Sequence, residues 1–179
     1  MNSNSKKIYG LIGCPVRHSF SPAMHNSAFK YLNINAEYRL FEVRPEELEP
    51  FLLDDISVKD INGNSVRAKD IGGFNITIPY KIKAKEILER EFPFDKNAPY
   101  RLRISHYVEV SGAINTVQRI GDNIEYYNTD ALGFERSLAQ DLNFDTYNKN
   151  TLVIGCGGAG RAVIAGLSWK QNRINKIYI

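Results

Sequence analysis

Residues 151–160 read TLVIGCGGAG, a β-branched and apolar run followed directly by a glycine-rich loop. The loop fits the G-x-G-x-x-G pattern, and residues 161–172 after it are helical in character. In such a unit the first glycine makes the tight turn, the second lets the backbone approach a pyrophosphate, and the third lets helix and strand pack closely. Free N–H groups at the start of the helix bind the anion. The stretch predicts a dinucleotide-binding loop, with an ordinary strand-to-helix turn as the alternative.

Strands alternate with helices through the rest of the chain. The predicted helices cover residues 22–34, 45–54, 81–91 and 132–142. The predicted strands cover residues 8–13, 36–43, 72–79, 113–120, 124–128, 151–154 and 176–179. This order predicts the α/β class, with a mainly parallel sheet flanked by helices in a first lobe. The start of a Rossmann-type nucleotide-binding lobe follows it.

Three segments bear on how the chain is organised. Residues 57–70 form a polar insertion, and residues 92–107 contain two prolines without a clear period, which predicts an irregular insertion. A boundary near 130–150 gives a first domain of residues 1–129. Residues 130–179 then hold a linker helix and a partial nucleotide-binding domain. Because that second lobe has little apolar surface to bury, the chain is expected to be truncated, a fragment, or the product of an interrupted gene.

Composition argues against several classes of protein. The chain has 179 residues and a formal net charge of +3, with its basic residues scattered among acidic ones. This predicts no nucleic-acid binding, and no stretch approaches the roughly 20 apolar residues that a membrane span needs. Cys14 and Cys156 lie far apart, and His18, His25 and His106 lack ligand spacing, so no metal site is expected. The cysteine usage predicts a reducing, cytoplasmic location.

A second loop, residues 17–22 with the sequence RHSFSP, connects the first predicted strand to the first predicted helix. Ser19 and Ser21 are spaced so that both hydroxyls could reach one small anion beside the helix start. The alternative is helix capping by Ser21, with Pro22 as the first helical residue. Taken alone, the loop favours capping.

Further motifs bear on that choice. The chain reads NITIPYK at 75–81, GAINTV at 112–117 and NTD at 128–130, and it opens with GLIGCPVRHSFSPAMHN at 10–26. Together with the glycine loop, and in this order, these motifs resemble the shikimate dehydrogenase family. The resemblance extends from about Ile8 to the end of the chain, with gaps.

The resemblance implies a reaction and a set of roles. The reaction is the reversible, NADP-dependent reduction of 3-dehydroshikimate to shikimate, a step of aromatic amino-acid biosynthesis. The implied substrate residues are Ser19, Ser21 and Thr77 for the carboxylate, Asn115 and Asp130 for ring hydroxyls, and Lys81. The implied catalytic residues are Lys81, as the acid/base group, and Asp130. The implied cofactor residues are Gly155, Cys156, Gly157, Gly158 and Ala159.

The chemistry of the reaction agrees with these roles. Oxidising a secondary alcohol removes a hydride, which the cofactor takes, and a proton, which needs a positioned base. Lys81 can supply that base, and in the reductive direction its ammonium donates the proton. Without the resemblance, Lys81 is interpreted as a solvated surface residue and Asp130 as the N-cap of a helix beginning at Ala131.

Several alternatives stay open at the level of sequence. A quinate or dual quinate/shikimate dehydrogenase has the same lysine and aspartate, and a truncated chain could bind substrate without turning it over. The residue that separates NADP from NAD is expected about 20 residues after the glycine loop, past Ile179. The sequence does not choose between a monomer and a homodimer.

Overall fold

A computed structural model describes residues 5–93, 102–170 and 172–179. Its strands are β1 (Lys7–Gly13), β2 (Ala36–Glu42), β3 (Ser57–Lys59), β4 (Ser65–Arg67), β5 (Ile71–Ile76), β6 (Thr116–Ile120), β7 (Asn123–Tyr127), β8 (Asn150–Leu152) and β9 (Lys176–Tyr178). Its α-helices are α1 (Ser21–Tyr31), α2 (Leu48–Leu53), α3 (Lys81–Glu91), α4 (Leu102–Ser111), α5 (Thr129–Arg136) and α6 (Gly158–Leu167). The chain divides into two compact units, residues 1–80 with 116–125 and residues 81–115 with 126–179.

The first unit is built on a mainly parallel sheet. The strand order is β2-β1-β5-β6-β7, with β1 parallel to both β2 and β5, and β6 antiparallel to β5. Ile12 of β1 pairs with Phe41 of β2 and Ile76 of β5, and all three side chains are buried. An unbroken apolar run suits a central parallel strand, which is covered on both faces. The predicted α/β class with a mainly parallel sheet is confirmed.

Helix α1 contacts strand β2 through hydrogen bonds. The helix ends at Tyr31, earlier than predicted, and Asn33 follows with a φ of 53°, a conformation common at helix ends. No residue of α1 is buried, and Met24 is 62% exposed. Asn26 Oδ1 accepts the backbone N–H of Tyr38 at 2.8 Å, and Asn26 Nδ2 donates to the Tyr38 carbonyl at 3.0 Å. Because β2 is the sheet edge, Asn26 satisfies backbone groups that an edge strand leaves open.

Both predicted insertions contain regular structure. Residues 57–70 include the β3–β4 hairpin, in which Asp60 Oδ1 accepts the N–H groups of Asn62 and Asn64 at 2.8 and 2.9 Å. The prediction of an irregular segment at 92–107 is wrong for residues 102–107, which belong to α4, while residues 94–101 lie outside the described part of the chain. Both prolines of the segment precede the helix, so neither interrupts its hydrogen bonds.

In the second unit, α4, α5 and α6 pack around a small core. The residues of this core are Tyr107, Ala131, Ala162, Ala165 and Trp169. Glu135 is buried beside them and accepts hydrogen bonds from Arg103, Tyr107 and Asn172. Burial, together with the hydrogen bond to Glu135, raises the pKa of Tyr107 to about 12, so its hydroxyl stays a donor. The guanidinium and two neutral donors compensate the buried carboxylate.

The predicted nucleotide-binding half begins with the elements that the sequence predicted. Strand β8, the glycine loop and α6 follow in order, and β8 pairs with β9 in a separate parallel two-stranded sheet. The proposed division into domains 1–129 and 130–179 stays a prediction. None of the described helices is long and apolar enough to cross a membrane.

Candidate active site

Three predicted site residues from separate sequence motifs meet in one hydrogen-bonded cluster of the second unit. Lys81 Nζ lies 2.6 Å from Asp130 Oδ2, and Asn115 Nδ2 lies 2.7 Å from Asp130 Oδ1. The side chains of Lys81 and Asp130 are 18% and 37% exposed, so water reaches the pair only in part. Ammonium and carboxylate at this distance form a charge-assisted hydrogen bond, the stronger kind in proteins.

The backbone around the cluster fixes its three side chains. Lys81 is the first residue of α3, and its carbonyl accepts the N–H of Ile114 at 2.9 Å, which ties α3 to the segment before Asn115. Asn115 Oδ1 in turn accepts the N–H of Thr129 at 2.9 Å, at the start of α5. Asp130 is the next residue of that helix. Two residues of the cluster therefore lie in the first turns of α3 and α5, and the third lies directly before strand β6.

Asn128 begins the helix that carries Asp130, a role that the sequence did not assign. Asn128 Oδ1 accepts the N–H of Ala131 at 3.2 Å, so Asn128 is the N-cap of α5. Its Nδ2 donates to Ser111 Oγ at 2.9 Å, and both side chains are buried. The alternative that Asp130 is the N-cap is wrong. Its carboxylate instead accepts from Lys81 and Asn115.

In the first unit, Ser19 and Ser21 lie together, and Thr77 follows a neighbouring strand. Ser19 Oγ donates to Ser21 Oγ at 3.0 Å and accepts the backbone N–H of Ser21 at 3.2 Å. Phe20 occupies the N-cap of α1 with no side-chain capping bond, so Ser21 does not cap the helix. Thr77 donates its N–H to the Ile12 carbonyl at 3.0 Å. Loops after the carboxyl ends of parallel strands such as β1 and β5 are where α/β sheets bind ligands.

A chain of hydrogen bonds in the same unit was missed by the sequence reasoning. Tyr38 donates its hydroxyl to Asn75 Oδ1 at 2.7 Å, and Asn75 Nδ2 donates to Thr116 Oγ1 at 3.1 Å. Burial raises the pKa of Tyr38, which keeps the hydroxyl protonated. Asn75 and Thr116 belong to the quoted motifs, but their partnership joins strands β5 and β6, which sequence spacing does not reveal.

The glycine loop has the backbone that a dinucleotide pyrophosphate requires. Gly155 has a φ of 97°, which favours glycine, and a Cβ at Gly160 would lie 2.1 Å from the Gly155 carbonyl oxygen. Helix α6 begins at Gly158 after Gly157 as N-cap. Arg161 Nε donates to the Cys156 carbonyl at 3.1 Å and steadies the loop. Turn, close packing and helix start together fit the group that the pattern predicts.

The described histidine and cysteine side chains form no group that could bind a metal ion. Among the residues that the structure describes, no three His, Cys, Asp or Glu side chains are grouped to hold a metal ion. His25 stacks on Tyr38 with ring centroids 4.2 Å apart, and burial lowers the pKa of His25. His106 Nε2 lies 3.3 Å from the Ala165 carbonyl oxygen. Cys14 and Cys156 are free thiols.

Comparison with known proteins assigns the chain to a family. The model of the shikimate dehydrogenase substrate binding domain matches residues 11–117. A curated shikimate dehydrogenase (NADP(+)) from Geobacillus sp. (strain WCH70) is 39% identical over 163 residues, which cover 91% of this chain and 50% of that protein. The chain spans about half the length of the curated relatives it matches. The resemblance drawn from the motifs is confirmed.

Solved structures agree with the sequence matches. A shikimate dehydrogenase in complex with NADP⁺ is 35% identical, with a TM-score of 0.69, over 90% of this chain and 48% of that one. The shikimate 5-dehydrogenase of Listeria monocytogenes, in complex with shikimate and NAD, is 28% identical, with a TM-score of 0.68, over 96% of this chain and 50% of that one. The two relatives hold different nicotinamide cofactors.

Proposed function

The chain belongs to the shikimate dehydrogenase family, and from this membership we propose that it carries the substrate-binding and proton-transfer residues of an NADP-dependent reduction of 3-dehydroshikimate to shikimate, in aromatic amino-acid biosynthesis. One observation carries the proposal: an ammonium, a carboxylate and an amide, from Lys81, Asp130 and Asn115, form a single cluster. The reduction needs a proton at the carbonyl oxygen, and the cluster holds one at a fixed atom, Lys81 Nζ.

Lys81 is the proposed acid/base group. The cofactor supplies the hydride to the carbonyl carbon. As negative charge develops on the oxygen, Lys81 Nζ donates a proton to it, and in the oxidative direction the neutral amine takes the proton from the hydroxyl. The hydrogen bond of 2.6 Å to Asp130 fixes the direction of the ammonium before substrate binds. Fixing a reacting group in this way removes much of the entropic cost of the encounter.

Asp130 and Asn115 are proposed to bind ring hydroxyls. A carboxylate accepts hydrogen bonds from hydroxyls, and an amide both donates and accepts. The pair can therefore bind a ring hydroxyl both through its hydrogen and through its oxygen. Both are already oriented, Asn115 by the N–H of Thr129 and Asp130 by Asn115 and Lys81. Preorganised groups lose little freedom when a ligand binds.

Ser19, Ser21 and Thr77 are proposed to bind the substrate carboxylate. All three carry hydroxyls, which donate to carboxylate oxygens. The hydroxyl hydrogen of Ser19 now points to Ser21, and since such hydrogens rotate to suit their acceptor, it can turn to an anion. The position of these residues after the carboxyl ends of β1 and β5 supports the assignment.

NADP is the proposed cofactor. The residues proposed to hold it are Gly155, Cys156, Gly157, Gly158 and Ala159. Their backbone forms the turn and helix start that suit a pyrophosphate. The names of the curated relatives support NADP. The NAD held by the Listeria monocytogenes protein keeps NAD as the alternative to be tested.

The proposal extends to the organisation of the protein. Residues 1–129 are proposed as the substrate-binding domain and residues 130–179 as the linker helix and first part of the cofactor domain. A cytoplasmic location is proposed, and the free thiols Cys14 and Cys156 support it because a reducing compartment keeps thiols unpaired. Light scattering decides between the proposed monomer and homodimer.

The decisive experiment measures turnover and binding side by side. A version of the chain extended through a complete cofactor half is assayed for reduction of NADP⁺ or NAD⁺ with shikimate or quinate, and shikimate binding to residues 1–179 is measured by calorimetry. The proposal requires the highest kcat/KM with shikimate and NADP⁺. A higher kcat/KM with quinate would favour the quinate/shikimate alternative. If the extended protein binds shikimate without turning it over, the proposed proton-transfer role is lost and only the substrate-binding role remains.

A further inference from the structure

Gly158 occupies a position that the dinucleotide pattern leaves open to any residue. The pattern requires glycine at Gly155, Gly157 and Gly160. Of these, Gly155 needs glycine for its φ of 97°, and Gly160 for its contact with the Gly155 carbonyl. Gly158 is outside the left-handed region and is the first residue of α6, where side chains are ordinarily accommodated. Neither loop geometry nor helix geometry therefore accounts for glycine at this position.

A side chain at Gly158 would press against the side chain of Lys81. An ideal Cβ on Gly158 would lie 3.1 Å from Lys81 Cδ, 3.7 Å from its Cβ and 3.8 Å from its Cγ. Carbon atoms in favourable contact are about 3.5–4.0 Å apart, so the nearest distance is too short. The aliphatic stem of Lys81 fills the space that a side chain at Gly158 would occupy.

Lys81 has little freedom to move aside, because both ends of its side chain are held. At one end, the Lys81 carbonyl accepts the N–H of Ile114 at 2.9 Å and fixes the start of α3. At the other, Nζ bonds to Asp130 Oδ2 at 2.6 Å. A methyl group at Gly158 requires Cδ to give way by a few tenths of an ångström, and between these two held ends we expect that shift to be passed to Nζ or to the start of α6.

We propose that Gly158 is a positioning residue: its missing side chain leaves the space through which Lys81 reaches Asp130. The inference rests on the proposed acid/base role of Lys81 and adds to it a dependence on the glycine loop. The loop then has two functions: its backbone would hold the cofactor, and Gly158 sets the path of the lysine side chain. A change in the loop at this residue is transmitted to the proton donor.

A double-mutant cycle on the 179-residue chain tests the contact without any ligand. Gly158→Ala is expected to lower the melting temperature by about 2–4 °C, the size of one strained contact in a chain of this length. In a Lys81→Ala background the same change is expected to cause no fall, because Cγ and Cδ are gone and alanine is the better helix former. An equal fall in both backgrounds would assign the strain to another contact and overturn the inference.

Labelling of lysine amines tests the positioning itself. The chain is treated briefly with acetic anhydride, and acetylation of Lys81 is followed by mass spectrometry, with the exposed Lys83 of the same helix as internal reference. Gly158→Ala is expected to raise the rate at Lys81 several-fold and leave Lys83 unchanged. Gly157→Ala is the matched control, since a Cβ at Gly157 would have no neighbour within 4 Å and should leave the rate at Lys81 as it was.

The outcomes separate this inference from the proposed function. An unchanged labelling rate at Lys81 in Gly158→Ala would overturn the positioning role, even if the extended enzyme is active. Full turnover of a Lys81→Ala enzyme would instead remove the acid/base role and leave the contact standing. Because neither the melting nor the labelling experiment uses turnover, each result can be assigned.

Discussion

Asn115 Nδ2 lies 2.7 Å from Asp130 Oδ1, while the other oxygen of the same carboxylate accepts from Lys81 at 2.6 Å. Asn115 is itself fixed by the N–H of Thr129. Because both carboxylate oxygens have donors, Asp130 cannot rotate without breaking one bond, and the position of the ammonium follows from that of the amide. Proton transfer and hydroxyl binding are therefore expected to respond to changes at any of the three residues.

Removal of the Lys81 amine tests the proposed acid/base role. In the protein extended through its cofactor half, Lys81→Ala is expected to lower kcat by about 10²–10⁴-fold, the usual contribution of general acid–base catalysis. The KM for shikimate should change much less. Lys83→Ala is the matched control, because Lys83 is two residues along the same helix and exposed. A kcat close to that of the parent would exclude Lys81 from proton transfer.

Loss of the Ser21 hydroxyl tests the proposed carboxylate site. Ser21→Ala in residues 1–179 is expected to weaken shikimate binding by about 1.5–3 kcal/mol, the range for hydrogen bonds to charged groups, as measured by calorimetry. Ser27→Ala, at an exposed position of α1, should leave the affinity unchanged. Unchanged affinity in Ser21→Ala would remove this hydroxyl from the site.

Asn128→Ala tests the N-cap of α5, the helix that carries Asp130. The change removes the N-cap of α5 and one of the two N–H donors to the buried Ser111 hydroxyl, which then keeps only the backbone N–H of Ala113. Loss of a cap and of a buried partner is expected to cost about 1–3 kcal/mol of unfolding free energy, measured in urea. Asn62→Ala, on the exposed β3–β4 turn, is the control. A cost no larger than that of the control would contradict the capping role.

The sequence predicted the elements that carry strong local signals. Strand β1 reads as an unbroken apolar run, α3 begins at the predicted Lys81, and Gly121 turns the β6–β7 hairpin with a φ of 59°. In each case residues near in sequence determine the conformation. Local chemistry also made the glycine loop recognisable as a site candidate, whereas Ser19 was chosen as one through the family resemblance.

Contacts between distant segments could not be predicted in this way. Helix α4 was missed because it packs through Tyr107 against residues 24 or more positions further along the chain, such as Ala131 and Trp169. The alternative that Asp130 caps α5 placed the cap two residues too late, since Asn and Asp are equally good caps and Asn128 holds the role. That Gly158 faces Lys81 depends on tertiary packing alone.

His25 is expected to make stability depend on pH. Burial lowers its pKa in the folded protein, while the unfolded chain has the ordinary value of about 6.5. The unfolded state then binds more protons, so stability is full above pH ~6.5 and is lost as pH falls through the folded pKa. His25→Phe keeps an aromatic ring against Tyr38 and should flatten the melting temperature between pH 7 and 5, whereas His18→Gln, at an exposed position, should not. An identical pH dependence in His25→Phe would contradict this.

The β8–β9 sheet carries apolar side chains that face solvent. Leu152 of β8 is 65% exposed, and Ile154, which follows the strand, is 91% exposed. Tyr178 of β9 and Ile179 after it are exposed as well. In the part of the chain that the structure describes, these two strands pair only with each other. Two strands with exposed apolar residues and open edges are a template for pairing with another chain.

The isolated 179-residue chain is therefore expected to associate as its concentration rises, and to show almost no dehydrogenase activity. Light scattering should give a mass that increases with concentration, and Leu152→Lys should reduce that increase because a charge on the apolar face opposes pairing. Leu142→Lys is the control, since Leu142 is equally exposed but lies outside the sheet.

Positioning of the hydride donor needs contacts beyond the glycine loop, so turnover of the isolated chain with NADP⁺ should be lost even when shikimate binds. Turnover matching that of a complete family member would show that a second chain supplies those contacts, and it should then fall with Leu152→Lys.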